Sequence, residues 1–188
     1  MSATLTEHWN GSSWSRVSSP SPSSAYAQLN GVAAVSASDV WAVGYGCTHA
    51  SSSTPCNAPK TLIEHWDGSA WHTTASPNPS ASGNYFHGVS AASATNVWAV
   101  GLYGENGAKS LVEHWNGTSW SQQQSLSPGS VDNYLNGVTV RSPTGVWAVG
   151  DFNTGSAFRT LIEHWNGSSW KQVPSADPSS ANQLYGVG

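Results

Sequence analysis

The sequence predicts an all-β fold made of repeated antiparallel sheets, and three observations support this prediction. The stretch Thr61–Trp71 has near-copies throughout the chain at intervals of about 50 residues, and such a fixed period indicates a repeat architecture. Each copy holds Asn-Gly or Asp-Gly between β-favouring runs, a strong signal for a tight hairpin with a type I′ turn. A second motif, Val-Trp-Ala-Val-Gly, recurs between the hairpins. Four short strands in each repeat of about this length are the pattern of a β-propeller blade. The hairpin copies are Thr4–Trp14, Thr61–Trp71, Ser110–Trp120 and Thr160–Trp170.

Each repeat is predicted to contain four strands, A to D in chain order. Strand A of the first full repeat is Gln28–Val35, and its small residues Gly31, Ala33 and Ala34 suit the crowded centre of a ring. Strand B is Val40–Gly44, which is apolar without clean alternation because both faces of a blade pack on neighbours. Strand C is the Leu-Ile-Glu-His-Trp run, and strand D follows the Asn-Gly turn. A Ser/Pro-rich connector then leads to strand A of the next repeat.

The predicted fold is a β-propeller with three complete blades and a split fourth, in one domain or propeller fragment spanning residues 1–188. The chain could also be a piece of a longer propeller, or two chains could share a larger ring. A β-solenoid is disfavoured because its repeats are usually shorter and lack tight Asn-Gly hairpins. An incomplete blade leaves an unpaired strand edge, so we expect a homo-oligomer. The predicted blades are 27–73, 84–122 and 133–173, with 1–17 as strands C and D and 183–188 as strand A of the split blade.

Composition excludes several classes of function. Charged residues make up only 9% of the chain and the formal net charge is −4, so no basic patch exists for nucleic acid. No apolar run approaches the roughly 18 residues of a membrane span. Met1–Trp9 has no apolar core, so we expect no signal peptide within the given chain. The 11 tryptophans and the regular Val, Ile and Leu runs supply apolar area for a folded core, and the tryptophans of the repeated motifs are expected to fill space between blades.

Two cysteines lie in one Ser/Thr-rich loop, Cys47 and Cys56. A local disulfide that clamps this loop is favoured over a metal site with His49, because three ligands at irregular spacing are a weak metal signal. A disulfide favours an oxidising compartment, so we expect an extracellular protein, either secreted or at the cell surface. We predict no metal and no cofactor.

The motif Leu-Ile-Glu-His-Trp-Asn-Gly-Ser-Ser-Trp, at residues 161–170, resembles the repeats of secreted bacterial β-propeller proteins. More loosely, it is similar to propeller lectins of the fucose-binding bacterial type and the tachylectin type, whose blades carry a comparable Trp-Asp/Asn-Gly-x-x-Trp hairpin. The resemblance covers all the repeats and implies a propeller, but the motif is not specific for sugar binding. Its spacing departs from the Asp-box of sialidase-type propellers, so no sialidase chemistry is carried over.

The recurrent Glu-His pairs are interpreted as structural. Adjacent residues of a strand point to opposite faces, so the two side chains of a pair do not converge on one ligand. Their presence in every hairpin indicates a role in the blade itself, with the Glu accepting hydrogen bonds between blades. No nucleophile elbow and no phosphate-binding loop occurs, and we expect no enzymatic activity. The pairs begin at Glu7, Glu64, Glu113 and Glu163.

Function is expected on the face that carries the B–C and D–A loops. These loops differ in length and composition from blade to blade, as binding loops on a rigid scaffold do. The connectors repeatedly place an aromatic residue beside an Asn, a pair that suits the apolar face and the hydroxyls of a sugar. The alternative is that these aromatic side chains fill blade junctions and the Asn side chains cap turns. The predicted ligand-binding residues are Tyr26, Asn84, Tyr85, Asn133, Tyr134, Phe158 and Arg159.

The sequence therefore predicts a non-enzymatic extracellular binding module. A carbohydrate is the favoured ligand, ahead of an extracellular protein. The alternative is a structural, protein-interaction or self-assembling repeat module. A glycan hydrolase is less favoured, because it needs two carboxylates in one pocket and the sequence does not show whether Asp132 and Asp151 meet.

Overall fold

The computed structural model of the protein describes residues 4–20, 26–47 and 56–188. It contains three four-stranded antiparallel sheets, called blades 1 to 3, and a two-stranded N-terminal hairpin. No helix in these ranges is long and apolar enough to cross a membrane. The N-terminal hairpin is β1 (Thr6–Trp9) and β2 (Trp14–Val17). Blade 1 is β3 (Tyr26–Ser36), β4 (Asp39–Cys47), β5 (Lys60–Trp66) and β6 (Trp71–Thr73); blade 2 is β7 (Asn84–Ser93), β8 (Asn96–Tyr103), β9 (Lys109–Trp115) and β10 (Trp120–Gln122); blade 3 is β11 (Asn133–Ser142), β12 (Gly145–Asn153), β13 (Phe158–Trp165) and β14 (Trp170–Gln172).

The strands of each blade are hydrogen-bonded in chain order, as the sequence predicts for strands A to D. The three A strands, β3, β7 and β11, lie at one edge of their sheets, and β7 contacts both β3 and β11. Small residues permit this approach, since a Cβ on Gly31 would lie only 3.4 Å from the Cα of Gly88. The predicted all-β architecture with four-stranded blades is confirmed.

The C–D turn differs from the predicted two-residue type I′ turn. Trp66 pairs with Trp71, so four residues form the loop, and Asp67 N donates to Ala70 O at 3.2 Å. Only the glycine of each Asn-Gly or Asp-Gly pair has a positive φ, for example +95° at Gly68. The side-chain oxygen of Asp67 accepts from the backbone N–H groups of Ser69 and Ala70. The first residue of the pair is therefore selected for side-chain capping of the loop and not for a left-handed backbone.

The apolar core lies between blades and is divided into two clusters. The cluster between blades 1 and 2 brings Trp41 and Ile63 against Phe86 and Leu111. The cluster between blades 2 and 3 includes Trp98, Val112, Leu135, Leu161 and Trp170. Because each cluster draws residues from two blades, no blade buries its apolar faces alone.

The two parts of the predicted split blade lie at opposite ends of the array. The N-terminal hairpin lies beside blade 1, and residues 183–188, called the C-terminal segment, lie beside blade 3. Asn136 Nδ2 donates to Leu184 O at 2.8 Å, so this segment occupies the position of a fourth inner strand, although it forms no regular strand. In the described ranges, no hydrogen bond joins β1 or β2 to the C-terminal segment.

Trp9 does not fill space between blades as the sequence predicts, because it is 46% exposed. The physical reason is that β1 belongs to the N-terminal hairpin, whose outer side is not covered by another blade in the described part of the chain. The equivalent Trp115 and Trp165 are less exposed, because each packs on the core between two blades.

Candidate binding site

A row of tyrosines crosses the loop face and is the most prominent aromatic feature of that face. The rings of Tyr26 and Tyr45 have centroids 5.9 Å apart, and those of Tyr45 and Tyr85 are 4.8 Å apart and edge to face. Tyr134 joins this row at a shallow groove of about 430 Å³ that Tyr45 and Tyr85 also line. We call these four residues, Tyr26, Tyr45, Tyr85 and Tyr134, the tyrosine rim.

The rim follows from the strand register. In blade 1, Tyr45 lies opposite Gln28, while in blade 3 Tyr134 lies opposite Asp151. Tyr85 lies opposite Leu102 in blade 2. These pairs occupy the same level of their blades, at the start of strand A and the end of strand B. The repeat therefore brings side chains from all three blades to one level of the loop face.

The phenol groups of Tyr45, Tyr85 and Tyr134 stay protonated at neutral pH. Burial and the neighbouring Tyr26 hydroxyl raise the pKa of Tyr45 to about 12. Burial, together with the nearby Glu105 carboxylate, raises the pKa of Tyr85. Burial and the Asp132 carboxylate raise the pKa of Tyr134. Each hydroxyl can therefore donate a hydrogen bond as well as accept one.

Gln28 orients the two tyrosines of blade 1. The hydroxyls of Tyr26 and Tyr45 both donate to Gln28 Oε1, at 2.5 and 3.2 Å. Gln28 Nε2 in turn donates to Asn30 Oδ1 at 2.7 Å. These bonds hold the edges of the two rings, while the rings themselves remain partly accessible.

A polar cluster lies beneath the rim, where blades 2 and 3 meet the C-terminal segment. His87 Nδ1 lies 3.1 Å from Leu135 O, a distance that requires Nδ1 to carry the proton and donate. Burial lowers the pKa of His87, so the ring is neutral at pH 7. Asp151 accepts from Asn136 Nδ2 at 3.2 Å and lies near His87. Burial raises the pKa of Asp151, although these neighbours favour its charged form.

The structure places the predicted ligand residues Asn84 and Asn133 inside the scaffold. Both are buried, and both amides are used by backbone groups. Asn84 Nδ2 donates to Ser80 O at 2.7 Å, and its Oδ1 accepts from Ser80 N. Asn133 makes the equivalent bonds with Gly129. The backbone N–H of Asn84 donates to Pro59 O, and the backbone N–H of Asn133 donates to Ala108 O, each in the B–C loop of the preceding blade. These amides fasten the D–A connector, so the tyrosines beside them are the accessible half of each predicted pair.

Phe158 and Arg159 lie away from the groove lined by Tyr85 and Tyr134. Phe158 N donates to Ser180 O at 2.9 Å, and Phe158 O accepts from Asn182 N. Arg159 forms an ion pair with Asp177 at 3.5 Å. Both residues connect blade 3 to the chain that follows it. The structure therefore brings together three of the seven predicted residues, namely Tyr26, Tyr85 and Tyr134.

Sequence reasoning missed Tyr45, His87 and Glu105, which border the same groove. Tyr45 had a usable signal, because it directly follows the repeated Val-Trp-Ala-Val-Gly motif, where the other repeats have Leu102 and Asp151. Such a position, next to an invariant motif yet different in each repeat, is where a repeat protein varies its binding residues.

The Glu-His pairs occupy two different environments, as their adjacency on a strand predicts. The His114 ring lies 4.4 Å from the Trp98 ring, and its Nε2 is 3.0 Å from Oδ1 of Asn96, the first residue of β8. Glu163 is fully buried and accepts from Ser125 Oγ and Leu126 N of the preceding blade's connector. Among the described residues, no group of three or more His, Cys, Asp or Glu side chains could hold a metal ion.

Cys47 and Cys56 form a disulfide in the structure, with Cα atoms 5.8 Å apart. The alternative ligand His49 lies outside the described residues. Cys47 pairs with Tyr26 across the strands of blade 1, and it lies two residues after Tyr45. The disulfide therefore closes the loop that follows the rim in blade 1.

The two carboxylates considered for hydrolysis lie on either side of Tyr134, with different partners. Asp132 Oδ1 accepts from Ala108 N at 2.9 Å, which ties it to the B–C loop of blade 2. Asp151 is buried and is engaged by Asn136 and Gln183. Both carboxylates are thus occupied by scaffold contacts.

Comparison with solved structures identifies the fold. The chain is similar to the solved structure of YCF48 bound to D1 peptide, with a TM-score of 0.50 and 14% sequence identity. The fold is a β-propeller. The alignment covers 78% of this chain and 40% of the other, so the chain spans about two fifths of that protein's length. At this identity the likeness concerns the fold alone. No protein-family model matches the chain, and no curated protein matches it.

Proposed function

We propose that the chain is a non-enzymatic, extracellular binding module that takes a carbohydrate on the tyrosine rim. The observation that supports this proposal is the row of ring contacts from Tyr26 through Tyr45 to Tyr85, with Tyr134 on the same groove. Aromatic faces cover the apolar face of a pyranose, and protonated phenols offer both donor and acceptor to its hydroxyls. The disulfide and the Ser/Thr/Pro-rich connectors support an extracellular setting.

Polar side chains also line the groove. Glu105 and His87 line it together with Tyr85 and Tyr134. His87 donates from Nδ1 to the backbone, so Nε2 of the neutral ring is an acceptor. A carboxylate, an imidazole acceptor and two phenols around one shallow groove favour a neutral ligand rich in hydroxyls over an anionic one.

A glycan array tests the proposal, with the Tyr85→Ala Tyr134→Ala double variant as the main probe. We expect the folded protein to bind a few related sugars, and the double variant to bind at least about tenfold more weakly because the ring faces are lost. Tyr85→Phe keeps the ring and should retain most of the affinity. Trp14→Ala, which removes an exposed aromatic on the N-terminal hairpin, is the matched control and should bind normally. Melting temperatures of all variants establish that each sample is folded.

The second candidate function is binding of a peptide segment from a protein partner. It is favoured by the structural neighbour, a propeller whose solved structure is that of YCF48 bound to D1 peptide. The same samples on a peptide array separate the two candidates. A folded protein that is silent on the glycan array and binds peptides in a rim-dependent way would overturn the carbohydrate proposal and support the second candidate.

A further inference from the structure

The inner strands of consecutive blades meet through one repeated junction. A Cβ built on Gly31 would lie 3.4 Å from the Cα of Gly88, and one built on Gly88 would lie 3.4 Å from the Cα of Gly137. A Cβ built on Gly137 would in turn lie 3.0 Å from the Cα of Gly186 in the C-terminal segment. The same glycine contact therefore occurs three times in succession along the array.

A side-chain hydrogen bond accompanies each of these glycine contacts. Asn30 Nδ2 donates to Phe86 O at 2.7 Å, and His87 Nδ1 is 3.1 Å from Leu135 O. Asn136 Nδ2 completes the series with its bond to Leu184 O at 2.8 Å. In each junction the side chain of the residue before the glycine donates a hydrogen bond to a backbone carbonyl of the next inner segment. That carbonyl belongs to the residue two positions before the glycine of that segment. The junction thus has a donor half on one strand and an acceptor half on the next.

The two ends of this series of glycine contacts, at Gly186 and at strand β3, remain uncovered in the described part of the chain. A Cβ built on Gly186 would have no atom within 4 Å. Tyr185, which precedes Gly186 as Asn30 precedes Gly31, is 71% exposed. On blade 1, Val32 is 68% exposed, although its counterpart Val138 is only 8% exposed. The C-terminal segment therefore presents an uncovered glycine face, beside which the Tyr185 hydroxyl donates to Gln183 Oε1 at 2.7 Å, and strand β3 presents an uncovered face at Val32.

The uncovered face of β3 forms one wall of a groove of about 310 Å³ between β3 and β1, lined by Leu5, Leu29, Gly31, Val32, Ala42 and Trp71 among others. In the described ranges β1 pairs only with β2, whereas β5, β9 and β13 pair on both edges. An extended segment in this groove could cover Val32 and also lie along the unpaired edge of β1.

We infer that this groove receives the C-terminal segment of a second copy of the chain. Gly186 of the second copy would lie on Val32, and its Tyr185 would lie beside Leu29, which repeats the glycine contact already present three times within the chain. The contact joins two different surfaces, so it is head to tail: two copies close a ring if the rotation permits, and a longer assembly forms if it does not. This inference is independent of the ligand proposed for the tyrosine rim.

Cross-linking of single-cysteine variants tests the inference on the full chain. We expect that mixing the Val32→Cys and Gly186→Cys variants under mild oxidation gives a disulfide-linked pair of chains, since only an intermolecular contact joins these positions. Cys47 and Cys56 are already bonded and do not compete. A Val131→Cys variant, changed at another exposed valine, replaces Val32→Cys as the matched control and should not cross-link.

Solution mass supplies the second measurement. We expect concentration-dependent dimers or larger species at micromolar protein, and we expect Val32→Arg and Gly186→Leu each to raise the dissociation constant at least about tenfold. Both positions are open in a single chain, so neither change should alter the far-ultraviolet circular dichroism spectrum. A chain that stays monomeric and gives no mixed cross-link overturns the inference. A Val32→Cys Gly186→Cys double variant that cross-links only within one chain also overturns it, in favour of an internally closed ring.

Discussion

Each complete blade carries one glutamate whose carboxyl group is fully removed from solvent: Glu64, Glu113 or Glu163. Burial raises the pKa of Glu113 from 4.5 to about 8, and neither of its oxygens has a hydrogen-bond partner among the described residues. The pKa of Glu163 is raised by burial to about 7, although Ser125 and Leu126 favour its charged form. Glu64 has a similar pKa of about 7, raised by burial and opposed by the nearby hydroxyls of Ser19 and Thr4.

These raised pKa values make the stability depend on pH with a definite sign. Between pH 4.5 and about 8, the folded protein keeps a proton on Glu113 that the unfolded chain releases. Stability contributed by the buried neutral carboxyl is therefore present at low pH and is lost as the pH rises through this window. Glu64 and Glu163 act in the same direction up to about pH 7.

We predict that Glu113→Gln flattens this dependence. Glutamine has nearly the same shape and cannot ionise, so the variant should be more stable than the wild type at pH 8.5, by on the order of 2 kcal/mol. Urea unfolding at pH 5 and pH 8.5 measures the change. Glu105→Gln, at an exposed loop position, is the control and should leave the pH slope unaltered. An identical slope in wild type and Glu113→Gln would falsify this account.

At the residue scale, the residues repeated in every blade indicate which side chains serve the scaffold, but they do not indicate the burial or the hydrogen-bond partners of each copy. The presence of a Glu-His pair in every hairpin favours a structural role, because a blade repeats its local structure. The repeat did not show that Glu163 has hydrogen-bond partners whereas Glu113 has none among the described residues. The partners of Glu163 come from a connector whose sequence differs between blades. The repeat also did not separate buried Asn133 from accessible Tyr134, which are adjacent in the chain.

At the element scale, a bulge in strand A explains the glycine that ends the Val-Trp-Ala-Val-Gly motif. In blade 2 the register shifts between Phe86 and Gly88, opposite Gly101. The bulge pushes the Tyr85 carbonyl over Gly101, so that a Cβ there would overlap the carbonyl oxygen. Gly44 and Gly150 face the same overlap in the other two blades. These glycines are required by close approach of a backbone group and not by a positive φ.

We predict that Gly101→Ala destabilises the protein by more than about 3 kcal/mol, because the overlap involves backbone and can be relieved only by breaking the bulge. Thermal unfolding gives the comparison. Gly186→Ala is the control, as nothing lies within 4 Å of that position, and it should change the melting temperature little in dilute protein. A melting temperature that is unchanged in Gly101→Ala would show that the bulge is not rigid.

The repeated Asn-Gly signal predicted that hairpins occur at these positions but gave the wrong turn. The signal for a two-residue turn is the dipeptide itself, whereas the observed loop is set by a side chain that reaches two and three residues ahead. Asn166 Oδ1, for example, accepts from Ser168 N and Ser169 N, both at 3.0 Å. Short-range patterns therefore located the strands, while the loop length depended on capping contacts that a dipeptide does not encode.

For the whole molecule, the period of the repeat predicted the number and order of strands because each blade is one local unit. The state of the ends could not be predicted this way. A split blade requires a contact between the N-terminal hairpin and the C-terminal segment, and no periodic signal reports on contacts of such separation. The described structure places the N-terminal hairpin on blade 1 and the C-terminal segment on blade 3.

The shared cores also determine how the molecule unfolds. Trp98 of blade 2 is buried against Trp165 and Trp170 of blade 3, with ring centroids 5.4 and 5.5 Å apart. In a linear array, cooperativity depends on such interfaces between neighbours, because each unit alone is marginal. A single unfolding transition is therefore expected for the wild type, seen identically by tryptophan fluorescence and by circular dichroism.

We predict that Trp98→Ala lowers stability by about 3–5 kcal/mol and also weakens the coupling of blades 2 and 3. The loss of stability follows from the cavity, and the loss of coupling follows because the cavity lies between two blades. Denaturant titration should show a lower midpoint and a broader transition, in which the two probes no longer coincide. Trp14→Ala, at an exposed site, should change the free energy of unfolding by less than about 1 kcal/mol and keep the transition sharp. If Trp98→Ala lowers the midpoint but leaves a sharp single transition, coupling must run through the glycine junctions of the inner strands, which Gly88→Ala would then disrupt.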